Sequence, residues 1–103
     1  RRSNLTVEFN AFATRLLFEG KRAVGVEYQQ NGQTMQARAS AEVIVSMGPL
    51  NTPKLLMHSG IGPADQLRKF DIPVLVNLTG VGENLQDHLN VRMCWASKVE
   101  QQI

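Results

Sequence analysis

The 103-residue chain has little cysteine, no long apolar run and little excess charge. Its one cysteine, Cys94, excludes an internal disulfide, and no second thiol stands at zinc-site spacing, so we expect no metal centre. The apolar stretch around Cys94 predicts a buried side chain, and the lack of disulfides favours a cytoplasmic location. No run approaches the ~20 apolar residues that a transmembrane helix needs, so we expect no membrane span.

The formal net charge of +2 comes from eleven scattered Lys and Arg residues that nowhere cluster beyond a pair. Because no basic stripe alternates with aromatic residues, we expect no nucleic-acid partner. The 43% hydrophobic and 19% charged residues exclude wholesale disorder. A chain this short buries only somewhat over ~60% of its unfolded surface, which leaves no room for a large cofactor in its own core.

The first part of the sequence predicts antiparallel strands. Apolar residues alternate with polar ones, as in half-buried strands, and Asn31-Gly32 suits a type I′ hairpin turn. The chain therefore predicts a three-stranded antiparallel meander preceded by a further alternating segment, with apolar segments at residues 5–9, 12–18 and 24–28 and a polar return strand at residues 33–39.

The second part predicts one buried strand and two short helices. Residues 42–47 are apolar and β-branched without alternation, which is typical of a parallel strand covered on both faces. Thr52 and Pro53 predict a helix start and Gly60 its end. A second helix follows Pro63, and short strands are expected at residues 72–76 and 91–96.

The segment from Gly48 to Gly62 carries the most specific pattern: a Gly, a small residue, Thr-Pro, two aliphatic residues and Ser-Gly-aliphatic-Gly. It resembles the second signature of the glucose–methanol–choline (GMC) oxidoreductase family. Among the members of that family, the residues are similar to those of choline-dehydrogenase-like and alcohol-dehydrogenase-like flavoproteins. Residues 20–28 resemble the family's meander strand, and residues 80–88 resemble its loop into the substrate domain. The resemblance covers roughly residues 4–96.

This resemblance implies an internal fragment of an FAD-dependent enzyme, an α+β piece of an α/β flavin-binding fold. It implies that residues 1–62 belong to the FAD-binding domain, and that residues 63–103 form a connector and the first strand of the substrate-binding sheet. The complete protein would oxidise a primary alcohol, such as a choline-like substrate, to an aldehyde with hydride transfer to flavin N5. The expected partners of the fragment are the alcohol and the rest of its own polypeptide. Alone, it is expected to be inactive and to retain no FAD.

Three residues are expected near the cofactor. By resemblance, the main chain of Ala13 holds the adenine edge, and Met47 and Gly48 lie beside the dinucleotide. Glycine allows backbone to approach a ligand closely, but Gly48 equally suits a tight strand-to-helix turn, and both interpretations stay open. Met47 departs from the family's usual Ala, and Thr79 from its Pro.

No catalytic residue is expected in this chain. His58 and His88 invite an acid–base role, but a catalytic His needs an orienting partner, and the family's catalytic His comes from a C-terminal stretch not included here. The strand–Gly-x-Gly-x-x-Gly–helix element of dinucleotide sites is also absent from this sequence. Two alternatives remain: a flavin-containing hydroxynitrile lyase of the same fold, and a non-enzymatic protein-binding module.

Overall fold

The computed structural model describes residues 2–96 and contains two small sheets and two helices. The first sheet is an antiparallel meander with strand order β1-β2-β3, and the second pairs β4 with β5 in parallel. Along the chain the elements are β1 (Phe12–Glu19), β2 (Arg22–Gln30), β3 (Gln33–Arg38), α1 (Gly48–His58), β4 (Ile61–Gly62), α2 (Ala64–Lys69) and β5 (Val76–Asn77). The predicted meander and the two short helices are confirmed.

Both hairpin turns of the meander depend on residues that accept a positive φ. Asn31 and Gly32 have φ values of 51° and 77°, as a type I′ turn requires, which confirms the turn expected at this dipeptide. At the other turn, Gly20 has a φ of 60°. The local sequence therefore determines where each strand of the meander reverses.

A β-bulge at Thr14 interrupts the pairing of β1 with β2. Ala13 pairs with Tyr28 and Arg15 pairs with Glu27, so Thr14 is the extra residue. The Thr14 hydroxyl lies 3.2 Å from the carbonyl oxygen of Glu27 and stabilises the irregular pairing. A bulge shifts the strand by one residue, and this shift decides which main-chain groups of β1 face away from β2.

Helix α1 begins at Gly48 rather than at Pro53, so the helix start expected at Thr52 is wrong. The sequence contains two prolines suited to a first turn, and the earlier one, Pro49, is the one that lies there. Thr52 lies inside the helix, where its Oγ1 accepts a 3.1 Å hydrogen bond from the backbone N–H of Met47. The predicted end is confirmed, because Gly60 follows the C-terminal residue Ser59 with a φ of 83°.

The core is small and lies where α1 and α2 meet the strands. Within the described residues it consists of five buried apolar side chains, Leu16, Val24, Leu55, Ala64 and Leu67. Asn77, on β5, supplies an acceptor to the first turn of α2: its Oδ1 lies 3.0 Å from the backbone nitrogen of Ala64. The carboxylate of α2 lies in its first turn and its basic residues lie in its last turn, an order that suits the helix dipole.

Three segments expected to form strands are unpaired. Residues 5–9, 42–47 and 91–96 belong to no strand, because the described residues offer them no neighbouring strand. Ile44 is 78% exposed and Trp95 is 87% exposed, so the expected burial of these segments is wrong within this chain. Cys94 is exposed as well, against expectation, because it lies in the last of these segments.

The described chain is extended in shape. Its radius of gyration is 20.8 Å and its extents are 68 × 44 × 27 Å. A compact chain of this length has a radius of gyration of about 13 Å. The apolar side chains of the unpaired segments therefore lack covering structure among the described residues.

Candidate functional site

The outer edge of β1 carries the main-chain groups of Ala13. Opposite residues of an antiparallel pair alternate between hydrogen-bonded and non-hydrogen-bonded. Leu16 donates its N–H to the hydroxyl of Ser59, which directly follows α1, so the main-chain groups of Leu16 face away from β2 and its pair with Val26 is a non-hydrogen-bonded one. The alternation is counted along β2, because the bulge adds one residue to β1. Tyr28 lies two positions from Val26, so its pair with Ala13 is also non-hydrogen-bonded, and the main-chain groups of Ala13 face away from β2.

The pairing of β2 with β3 leads to the same orientation. The backbone N–H of Ala39 donates to the carbonyl of Val24 at 2.9 Å, so Val24 directs its main-chain groups towards β3. By alternation, the main-chain groups of Val26 and Tyr28 face β3 as well. The N–H and C=O of Ala13 therefore have no partner on β2 and lie at the open edge of the sheet.

A small cavity of about 230 Å³ lies over one face of the meander and reaches Ala13 on β1. Its lining is apolar apart from one carboxylate and one phenol: Glu8, Ala11, Ala13, Val26, Tyr28 and Ala37. The segment before β1 lines one side of it and is held by Gln30, whose Nε2 donates to the carbonyl oxygen of Phe9 (2.9 Å) and to Glu8 Oε2 (3.2 Å). Sequence reasoning missed this cavity, because strand alternation shows which residues of one strand share a face but not the cross-strand register.

The Met47–Gly48 turn is the second predicted contact. Gly48 has a φ of 80°, and a methyl group built on it would meet nothing within 4 Å. The positive φ alone therefore accounts for glycine here, since L-residues adopt this conformation at a cost. Close approach to a dinucleotide stays a prediction for both Met47 and Gly48.

A larger cavity of about 710 Å³ lies between α1 and the loop that follows β5. Gly82 lies where this loop packs closely against the helix: it has a φ of 84°, and an added Cβ would lie 2.6 Å from Cε of Met57. The lining is formed by residues of α1 and of the loop, namely Pro49, Leu50, Thr52, Pro53, Lys54, Leu56, Met57, Val81, Gly82, Glu83, Asn84, Leu85 and Gln86. It shares no residue with the small cavity, so the two remain separate within the described chain.

Neither histidine side chain forms a hydrogen bond with another group among residues 2–96. Both are exposed. The backbone N–H of His88 donates to Asp87 Oδ1 at 2.8 Å, so this carboxylate bonds a backbone group of the loop rather than the imidazole. Among residues 2–96, no group of three or more His, Cys, Asp or Glu side chains could hold a metal ion. None of the helices described there is long and apolar enough to cross a membrane.

Comparison with known proteins gives the family. The sequence profile of the GMC oxidoreductase family matches residues 1–90. The chain therefore belongs to the GMC oxidoreductase family. It is 59% identical over 90 residues to the mitochondrial choline dehydrogenase of Homo sapiens, which covers 87% of this chain and 15% of the human protein. It is 51% identical over 98 residues to an oxygen-dependent choline dehydrogenase of Pseudomonas fluorescens, which covers 93% of this chain and 17% of that relative.

Solved structures give the same picture of the fold. An FAD-dependent oxidoreductase from Chaetomium thermophilum matches with a TM-score of 0.66 and 39% identity, over 69% of this chain and 13% of that one. A formate oxidase matches with a TM-score of 0.64 and 36% identity, over 65% of this chain and 12% of that one. The predicted relation to a flavin-binding fold is confirmed, and the chain spans only a small part of the length of each of these proteins.

Proposed function

We propose that this chain forms the adenine side of the FAD site in an enzyme that oxidises choline or a related primary alcohol to an aldehyde. The observation that carries the proposal is the 59% identity to a choline dehydrogenase. The same hypothesis places the boundary between the FAD-binding part and the substrate-binding part after residue 62. It also makes the rest of the polypeptide the main partner of this chain.

The geometry of β1 supports an adenine site. The outward N–H of Ala13 is a donor and its outward C=O is an acceptor, so together they match the ring nitrogen and the exocyclic amine on one edge of adenine. The apolar cavity of about 230 Å³ over the adjoining face of the meander reaches Ala13 and offers side chains that a planar purine ring can pack against. The residues present therefore fit this part of FAD.

The chemistry is divided between the cofactor and the protein. When bound, FAD supplies the acceptor for the hydride that leaves the alcohol carbon. This chain's residues bind and orient: Ala13 holds the adenine, and the Met47–Gly48 turn lies beside the dinucleotide. We assign no catalytic residue here, and the group that takes the hydroxyl proton comes from elsewhere in the polypeptide.

The function is tested on the complete polypeptide that contains this chain. The purified protein is supplied with an artificial electron acceptor and a panel of choline, other primary alcohols and choline methyl ether, which lacks the hydroxyl. We expect aldehyde formation from choline and none from the ether. A protein that reduces the acceptor with none of the alcohols contradicts the proposal.

The role of Ala13 is tested by removing its N–H. Ala13→Pro removes an outward donor at an edge position where proline is tolerated, and we expect FAD affinity to fall about tenfold, the value of one strong hydrogen bond. Ala13→Ser keeps the main-chain groups and serves as the control, with affinity near that of the unaltered protein. Equal affinities for both variants contradict a main-chain contact at this position.

A further inference from the structure

The hydroxyl of Ser59 joins two elements that are distant in the sequence. Its Oγ accepts a hydrogen bond from the backbone N–H of Leu16 on β1 at 2.8 Å. The same hydroxyl donates to the carbonyl oxygen of Leu55 on α1 at 2.6 Å. A single side chain therefore connects the last turn of the helix to the outer edge of the meander.

The direction of these two bonds follows from the chemistry of the groups. An amide N–H can only donate, so the hydroxyl must accept from Leu16 and is left with one hydrogen for Leu55. Ser59 is half-buried, and Leu16 and Leu55 are buried. Loss of the hydroxyl would therefore leave the Leu16 N–H in a site that water reaches poorly, and an unsatisfied donor there is unfavourable.

Ser59 also divides the outer edge of β1 into two parts. Leu16 and Ala13 both direct their main-chain groups to this edge. The Leu16 position is occupied by Ser59 at the C-terminal end of α1, whereas the Ala13 position stays open where the small cavity reaches it. The serine thus sets where the covered part of the edge ends and the open part begins.

Helix α1 carries the second proposed contact at its other end. Gly48 starts the helix and Thr52 holds the N–H of Met47. Eleven helical residues span about 16 Å, so α1 is a rigid spacer between the Met47–Gly48 turn and the Ser59 anchor. The hydroxyl therefore couples the position of β1 to that of the turn.

We propose that Ser59 is a positioning residue for the cofactor: its bridge between α1 and β1 holds the Ala13 edge where adenine binds. The inference rests on the proposed function. It predicts that loss of the bridge weakens contacts to the adenine half of FAD and spares contacts to the flavin half.

The experiment compares two flavins on the complete protein stripped of its cofactor. Dissociation constants are measured for FAD and for FMN, which lacks the adenine half, in the unaltered protein and in Ser59→Ala. We expect the preference for FAD over FMN to fall about tenfold in Ser59→Ala, because the adenine hydrogen bonds lose their alignment. Ser40→Ala removes an exposed hydroxyl that makes no hydrogen bond within residues 2–96, and it should keep the preference.

The outcomes separate the inference from the function on which it rests. If Ser59→Ala weakens both flavins equally, the serine supports the fold in general and the inference is overturned. If Ser59→Ala yields no folded protein, Ser59→Cys replaces it in the test, since a thiol keeps the shape of the side chain but accepts a hydrogen bond only weakly. An unchanged preference for FAD over FMN in Ser59→Cys overturns the inference too. If the unaltered protein binds neither flavin, the proposed function fails and the inference fails with it.

Discussion

Gly60 lies where α1 ends and β4 begins, and no other residue type fits there without strain. Its φ of 83° belongs to the left-handed region. An added Cβ would overlap the backbone carbonyl oxygen of Pro73 and lie 3.1 Å from the backbone nitrogen of Leu75. Its own carbonyl accepts hydrogen bonds from the N–H groups of Leu75 (2.8 Å) and Val76 (3.1 Å), which join the second sheet to the helix.

The expected destabilisation of Gly60→Ala has two parts. Holding an alanine at positive φ costs about 1–2 kcal/mol. Forcing a methyl group against backbone that cannot rotate away adds about 1–3 kcal/mol, the range for overpacking. Gly32→Ala is the matched control: its φ is 77°, but nothing lies within 4 Å of the added methyl group, so only the first part applies.

Amide hydrogen exchange of the complete protein separates the two parts. The steric part of about 1–3 kcal/mol corresponds to about 5- to 140-fold faster exchange at Leu75 and Val76 in Gly60→Ala, at about 1.4 kcal/mol per factor of ten. Gly32→Ala should leave these two amides unchanged. Unaltered exchange at Leu75 and Val76 in Gly60→Ala would refute the packing described for this junction.

Three further substitutions address the core, a helix cap and the uncovered surface. Leu67 is 1% exposed, so Leu67→Ala should lower the free energy of unfolding by about 2–5 kcal/mol, measured by denaturant titration. Asn77→Ala removes the acceptor of the Ala64 N–H and should destabilise α2 by about 1 kcal/mol, whereas Asn77→Asp keeps an acceptor; exchange of α2 amides distinguishes the two. Ile44→Asp should sharply reduce the soluble yield of the complete protein, because we expect the side chain exposed in this chain to be covered there. Gln33→Asp, at an exposed strand position, should not reduce the yield. Equal yields for the two variants would contradict this expectation.

Features set by neighbouring residues were predictable from the sequence. The Asn31-Gly32 turn, the strands it joins and the charge order of α2 each depend on a few adjacent side chains. The start of α1 was predicted wrongly because two prolines compete for the first helical turn, and local preference does not choose between them. Residues 42–47 have the composition of a buried strand, but a strand forms only where neighbouring strands are present.

The candidate site was less accessible from sequence, because it depends on cross-strand register. The family resemblance indicates Ala13, but the Thr14 bulge determines which way its main-chain groups face, and a one-residue shift leaves no mark in the apolar pattern. The bridge from Ser59 to Leu16 spans 43 positions of sequence, so its signal in the sequence is only a fixed serine in the signature. The roles of Met47 and Gly48, the domain boundary after residue 62 and the cytoplasmic location stay predictions.

We propose that this chain belongs to an enzyme whose bound FAD is reduced by choline. The visible absorption spectrum of the complete purified protein, recorded before and after choline is added without oxygen, tests this proposal. We expect a bound flavin that is released as FAD on denaturation, and whose oxidised absorption is lost as the aldehyde forms. A protein that binds no flavin, or one whose flavin absorption is unchanged by choline and by every other primary alcohol tested, would show that the proposal is wrong.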